Sequence, residues 1–118
     1  MNLNTVLIGS ENPKRLTDYY TKLFGKPATE DSGYAGWKIG DCSITVGPHD
    51  QVKGKNAQPA RMLLNIESAD VKADFAKLKA AGAKVVREPY RMDGWPPNTW
   101  VATLADPDDN YFQLVSPL

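Results

Sequence analysis

Few residues in this chain could do chemistry, and their types narrow what that chemistry could be. There is one histidine, His49, and one cysteine, Cys42. A site of two imidazoles and a carboxylate therefore cannot form within one chain. Cys42 has no basic neighbour in sequence that would activate its thiol, and it reads as a small buried apolar residue. His49 lies in a polar loop and reads as solvated. Asp106, Asp108 and Asp109 stand close together, but the calcium-loop spacing with its distant Glu is absent, so they read as turn chemistry. Two other residues are more informative. Gln113 sits in the middle of an apolar terminal run, on the opposite face from Phe112 and Leu114. Trp95 stands in Asp93-Gly94-Trp95-Pro96-Pro97, a stiff loop where a large exposed aromatic is costly for solubility unless it covers something.

The elements that must position these residues follow from the pattern. Trp100 to Leu104 and Tyr111 to Val115 are β-rich runs around Asp106-Pro107-Asp108-Asp109-Asn110. That is a hairpin, because Pro sets one corner and Asp and Asn tolerate positive φ. At the other end, Leu3–Gly9 reads as a strand with Leu3, Thr5 and Leu7 on one face and Asn4, Val6 and Ile8 on the other. Asn12 then caps a helix that begins at Pro13 and buries Leu16, Tyr19, Tyr20, Leu23 and Phe24. Gly25 ends it, and Pro27 prevents its continuation. Short β pieces follow at 28–30, 36–39 and 42–46, with a hairpin tip at Gly40-Asp41. Residues 47–59 read as an exposed polar connection.

The pattern then restarts. Residues 61–67 form a strand, Ser68 caps a helix to about Ala81 that is buried through Val71, Phe75 and Leu78, and Gly82 closes it. Strands at 83–87 and 99–105 lead into the terminal hairpin, with a loop at 88–98 between them. Ile8-Gly9-Ser10 reappears as Ile66-Glu67-Ser68, and Gly25 is matched by Gly82. The expectation is an α+β fold: one domain over residues 1–118 made of two βαβββ modules, about 1–47 and 60–118. A helix covers one face of such a module and leaves the other open. Two modules would give a curved mixed sheet with helices outside and a concave inner cavity.

Bulk properties exclude several function classes. Fourteen basic and fourteen acidic residues cancel. Neutrality gives no electrostatic case for nucleic acid or an anionic membrane. No apolar run approaches the roughly 20 residues that span a bilayer. The N-terminal stretch has no basic segment followed by a long apolar one, so no secretory signal is expected. A lone cysteine forms no internal disulfide, and a cytoplasmic setting is the simplest expectation.

The duplicated βαβββ pattern, with Asn12-Pro13, Tyr19-Tyr20 and Leu23-Phe24-Gly25 after the first strand and Ala105-Asp106-Pro107-Asp108 through Asn110, Phe112, Leu114-Val115 and Pro117 at the end, resembles the vicinal oxygen chelate superfamily. That group includes glyoxalase I, bleomycin resistance proteins, fosfomycin-inactivating enzymes and extradiol dioxygenases. One departure is Asp109, where the family usually has Gly. Its enzymes usually hold one divalent metal on four strand positions, commonly His, Glu or Gln, His and Glu. The resemblance carries these onto Asn4, Thr45, Arg61 and Gln113. Asn and Gln are weak neutral donors, and a permanent cation such as Arg61 repels a dication. No metal or other cofactor is expected on that set.

The resemblance, with that ligand set, therefore implies a metal-independent binding protein of the bleomycin-resistance kind in preference to an enzyme, with a cofactor-free enzyme left open. It would sequester a small, aromatic or amphipathic molecule, working as a homodimer. Trp37, Trp95 and Trp100 are candidate walls; the alternative is a dimer interface for Trp37, packing on its own loop or a subunit contact for Trp95, and core for Trp100. Asn4, Thr45, Arg61 and Gln113 are candidate polar contacts, and Arg61 is the candidate partner for an anionic group. Two further readings stand beside this one: a glyoxalase- or dioxygenase-like enzyme using a divalent metal, and a non-catalytic domain serving only dimerisation or interaction.

Overall fold

The computed structural model describes residues 1–117. The chain divides into two compact units, Met1–Lys55 and Asn56 onward. Each is a βαβββ module with its own open, curved, four-stranded mixed sheet. The duplicated α+β architecture is as the sequence predicts.

In the first unit the elements are β1 (Thr5–Ser10), α1 (Pro13–Phe24), β2 (Thr29–Asp31), β3 (Tyr34–Ile39) and β4 (Cys42–Pro48). The strand order is β1-β4-β3-β2, with β1 and β4 parallel and the other pairs antiparallel. The helix starts where the sequence dictates: Asn12 Oδ1 accepts from the Arg15 N–H at 3.3 Å, and Pro13 loses no intrahelical bond at the first position. Gly25, at φ +88°, ends it in a conformation that disfavours side chains. Leu16, Tyr20 and Leu23 are buried, with Trp37 and Ile44 also in the unit's core.

The second unit repeats this plan with β5 (Leu64–Glu67), α2 (Val71–Ala80), β6 (Lys84–Tyr90), β7 (Val101–Ala105) and β8 (Tyr111–Val115). Its order is β5-β8-β7-β6, with β5 and β8 parallel. Val71, Phe75 and Leu78 of α2 are buried, as are Ala102, Leu104, Phe112 and Leu114 of the sheet. The helix cap differs from expectation. Asp70, not Ser68, accepts from the Ala73 N–H at 3.0 Å. Ser68 instead accepts from the Asp70 N–H at 3.2 Å and donates to Asp74 Oδ2 at 2.5 Å.

The β7–β8 turn is built on a buried carboxylate. Asp106 Oδ1 accepts from the Asp108 and Asn110 N–H groups at 2.8 and 3.0 Å, and Oδ2 accepts from Asn110 Nδ2 at 2.9 Å. Asp109 takes φ +61°, the conformation a Gly would adopt without cost, and its carboxylate accepts from Lys84 Nζ at 2.5 Å. That bond holds the Lys84 pKa above its ordinary value.

Candidate functional site

The open face of the second unit carries a cavity of about 460 Å³. Strand alternation determines which side chains floor it. Phe112 and Leu114 turn to the buried side, so Gln113 and Val115 turn outward. Cross-strand register extends the floor. Asn65 on β5 is paired with Gln113, and Gln113 with Thr103 on β7. Val101 pairs with Val115 on one side and Tyr90 on the other. Asn65, Gln113, Val115, Val101 and Tyr90 therefore lie on one surface.

The wall comes from the 91–100 loop, which supplies Met92, Trp95, Pro96 and Thr99. Its backbone is held at several points. The Trp95 N–H donates to the Met92 carbonyl at 3.3 Å, and the Thr99 N–H to the Pro96 carbonyl at 3.3 Å. Gly94 and Asn98 supply the positive φ values, +82° and +65°, that the turns require. Ser116 ties the loop to the end of β8: its Oγ accepts from the Trp100 N–H at 2.9 Å and donates to the Asn98 carbonyl at 3.3 Å. Trp95 is thus presented on a braced loop with 37% of its surface exposed.

The lining is apolar with a few convergent polar groups. Gln113 Nε2 donates to Thr103 Oγ1 at 2.9 Å, which leaves Gln113 Oε1 as an acceptor without a protein partner among the described residues. A hydroxyl both donates and accepts, so Thr103 can anchor either orientation of the amide, and Gln113 can present an acceptor or a donor. Asn65 adds a second exposed amide on the same row. Apart from the Tyr90 phenol, the lining holds no acid, base or thiol. Its chemistry is hydrogen bonding and aromatic contact.

The seven residues singled out in the sequence fall in different places. Trp95 and Gln113 share this cavity. Trp100 does not line it. Its ring lies on the helix side, with Lys72 Nζ of α2 at 3.7 Å from the ring centroid, while its neighbours Thr99 and Val101 face the cavity. Arg61 lies in a 3-10 turn (Pro59–Arg61) ahead of β5, not on the strand. Its guanidinium is held by Gln58 Oε1, 3.0 Å from Nε and 2.5 Å from the terminal nitrogen. Asn65, Tyr90, Met92 and Thr103 are the residues that sequence reasoning missed. The alternation argument applied to Gln113 would have found Asn65 and Thr103.

The other three lie in the first unit. Trp37 is core: 3% exposed, its ring 5.9 Å from Tyr20 and its Nε1 donating to the Gly25 carbonyl at 2.8 Å. That corrects its reading as a cavity wall. Ile44 pairs with both Trp37 and Val6, so the Asn4–Val6–Ile8 side of the first strand is the helix side. Asn4 precedes β1, exposed, and its carbonyl accepts from the Ser43 N–H at 2.9 Å. The open face carries Thr5 and Leu7 instead. Alternation grouped these residues correctly; it is the resemblance's placement of Asn4 on the open face that the structure corrects, and Leu7 there is 52% exposed. Thr45 is on this open face, aligned with Leu7 and Gly36. A polar hollow of about 530 Å³ also exists in this unit, lined by Lys14, Asp18, Glu30 and Asp31 among others. Lys14 and Asp18 satisfy each other there at 2.8 Å.

A divalent metal is what relatives of this fold usually hold. Among the described residues no three His, Cys, Asp or Glu side chains cluster so as to hold one. On the open face of the second unit Glu67 is a carboxylate, but the donors beside it, Asn65, Gln113 and Thr103, are neutral and poor ligands for zinc, iron or nickel. The residues present do not fit that group.

Comparison with known proteins follows the same lines. The glyoxalase-like domain family matches residues 5–115. The chain belongs to that family. The match places this glyoxalase-like chain in the vicinal oxygen chelate superfamily. Solved structures share its fold across its length. A conserved domain protein is 23% identical with a TM-score of 0.80, each chain covered completely. A glyoxalase/bleomycin resistance protein/dioxygenase family enzyme from Burkholderia phytofirmans PsJN is 21% identical at 0.75, again covering both chains completely. A glyoxalase/bleomycin resistance protein from Albidiferax ferrireducens T118 is 18% identical at 0.75, covering 98% of each chain. No curated protein matches the glyoxalase-like chain in sequence. No helix among its described residues is long and apolar enough to cross a membrane.

Proposed function

We propose that this glyoxalase-like protein binds and sequesters a small aromatic or amphipathic molecule in the cavity of its second unit, without a metal. One observation carries the reading. A braced, exposed Trp95 stands over an apolar floor from which the Gln113 and Asn65 amides face the cavity. Flat apolar faces with a few directional polar groups are what small-molecule sites are made of, and about 460 Å³ is within their size range. The hydroxyls of the lining, on Tyr90, Thr99 and Ser116, have no carboxylate, imidazole or amine beside them in the lining to activate them, which supports binding over turnover. The names of the Burkholderia and Albidiferax structures, which include bleomycin resistance protein, agree with this class.

We also propose a homodimer in a reducing, cytoplasmic compartment. The apolar side chains left exposed, such as Leu7 at 52% and Met62 at 71%, support self-association. The free, half-buried Cys42 suits a reducing setting.

The test is a tryptophan-fluorescence titration with a panel of aromatic metabolites and drugs, alongside elemental analysis of the purified protein. Saturable quenching in metal-free protein supports sequestration. A stoichiometric transition metal on which binding depends, or turnover of hemithioacetal or catechol substrates, overturns it.

A further inference from the structure

The edge strand β6 does not alternate simply. Val85 pairs with Leu104, Arg87 with Thr103 and Tyr90 with Val101, so the register shifts twice. Leu104 is core. Plain alternation from Val85 would turn Arg87 toward the core as well. The shifts instead place Arg87 opposite Thr103 and Tyr90 opposite Val101, on the open face. Bulges re-aim side chains in this way. Pro89, which has no N–H to give to a ladder, lies within the second shift.

Arg87 is thereby stacked on the cavity lining. Its guanidinium carbon lies 3.5 Å from the centroid of the Tyr90 ring. Stacking holds the plane of the guanidinium and leaves its N–H edge free. The neighbouring charges on this strand are already matched: Lys84 by Asp109 and Glu88 by Lys79 at 3.3 Å. Arg87 has no ion pair or hydrogen bond among the described residues. Glu67 shares the open face, but it lies on the opposite edge strand, three strand spacings or about 14 Å away. At that range solvent and salt screen it from Arg87.

We infer that the ligand of this cavity is an acid: a flat or extended apolar body in the space under Trp95, with a carboxylate received by the Arg87 guanidinium. The inference rests on the binding role proposed above and adds the charge of the ligand. Arg87 and the row Asn65–Gln113–Thr103 run across one face, so the carboxylate docks at the β6 end and the amides meet the remaining polar atoms. A planar fork matches a planar carboxylate with two parallel hydrogen bonds. The anion-recognition role expected of Arg61 falls instead to Arg87.

The experiment uses isothermal titration of the full chain with an isosteric pair, 2-naphthoate and 2-naphthamide. At low salt, naphthoate binds at least about tenfold more tightly than naphthamide, as one charge-assisted pair predicts. Arg87→Gln brings the two probes within about twofold of each other, with naphthoate losing the more affinity. Arg87→Lys keeps only part of the preference, because the point charge lacks the fork. Equal binding of both probes to the wild type, each weakened by Trp95→Ala, would overturn the acid inference alone and leave the binding role standing. A naphthoate preference that survives Arg87→Gln would also overturn it. Absence of naphthoate binding overturns the acid inference, and silence across the whole aromatic panel overturns the binding role as well.

Discussion

Gln113 on β8 and Thr103 on β7 face each other across the sheet, and the Gln113 Nε2 donates to Thr103 Oγ1 at 2.9 Å. Thr103 is 6% exposed, so this hydroxyl sets the direction of the amide from beneath. Thr103→Val keeps the shape and removes the bond. The expected loss of stability is about 1 kcal/mol, measured by urea unfolding, since the half-buried amide can still turn toward water. Any bound ligand oriented by Gln113 should weaken in parallel. An unchanged unfolding midpoint would show that the bond contributes nothing.

Trp95→Ala separates binding from folding. The side chain is 37% exposed and part of a loop held by backbone bonds, so stability should move by less than about 0.5 kcal/mol. Affinity for a neutral aromatic probe should fall about tenfold as the stacking face is lost. Ligand-induced quenching should disappear with it, because Trp37 is buried and Trp100 lies on the helix side. Quenching that persists in this variant would move the ligand elsewhere.

Trp37→Ala should do the reverse. The indole fills the space between α1 and its sheet and caps the Gly25 carbonyl, so its loss should cost about 3–5 kcal/mol. Calorimetry reads this as a large drop in the midpoint. If the variant instead unfolded like the wild type and lost ligand affinity, the core assignment would fail.

Asp106→Ala should be destabilising out of proportion to its size. It removes a fully buried carboxylate that accepts from two backbone N–H groups and the Asn110 amide. About 3 kcal/mol is expected, with the β7–β8 turn losing amide protection in hydrogen exchange. A loss below about 1 kcal/mol would show that water replaces the carboxylate there.

The Lys84–Asp109 pair predicts a pH dependence with a definite sign. The folded-state Lys84 pKa is raised above its ordinary value of 10.5 by the hydrogen bond to Asp109. A raised pKa gives stability that is present in full below the unfolded value and lost as pH climbs through the folded one. The stability difference between wild type and Lys84→Met should therefore be constant from neutral pH to about 10 and shrink above that. Both side chains meet solvent, so added salt should shrink it too. A difference that grows with alkalinity would contradict the pairing.

The fold was legible because its punctuation is local. Asn12-Pro13, Gly25 and the Asp106-to-Asn110 turn each state a backbone conformation in a few residues, and their repetition exposed the two modules. Gln113 was legible for the same reason, as a polar residue between two apolar ones. Asn65, between Leu64 and Ile66, carried the same local signal and was overlooked; its register against Gln113 brings it to the cavity. Other parts of the site depend on pairings that no local signal reveals. Trp37 and Trp100 are placed by which side α1 and α2 cover. Alternation grouped Thr5 with Leu7 and Asn4 with Val6, but which group α1 covers is not written in the strand itself. The β6 irregularity was hidden most deeply: the strand was expected to stop at Arg87, and Pro89 looked like loop rather than a shift within a continuing ladder.

That irregularity has a second consequence. β6 is one margin of its sheet, with backbone groups on the outer side that a neighbouring molecule could grip. A kinked margin carrying Lys84, Arg87, Glu88 and Pro89 is a poor template for adding strands. Straightening it to make a tidier ladder would turn Arg87 inward and at the same time offer a flat, adhesive rim. The same distortion that sets Arg87 opposite Thr103 on the open face also discourages edge-to-edge growth into fibres.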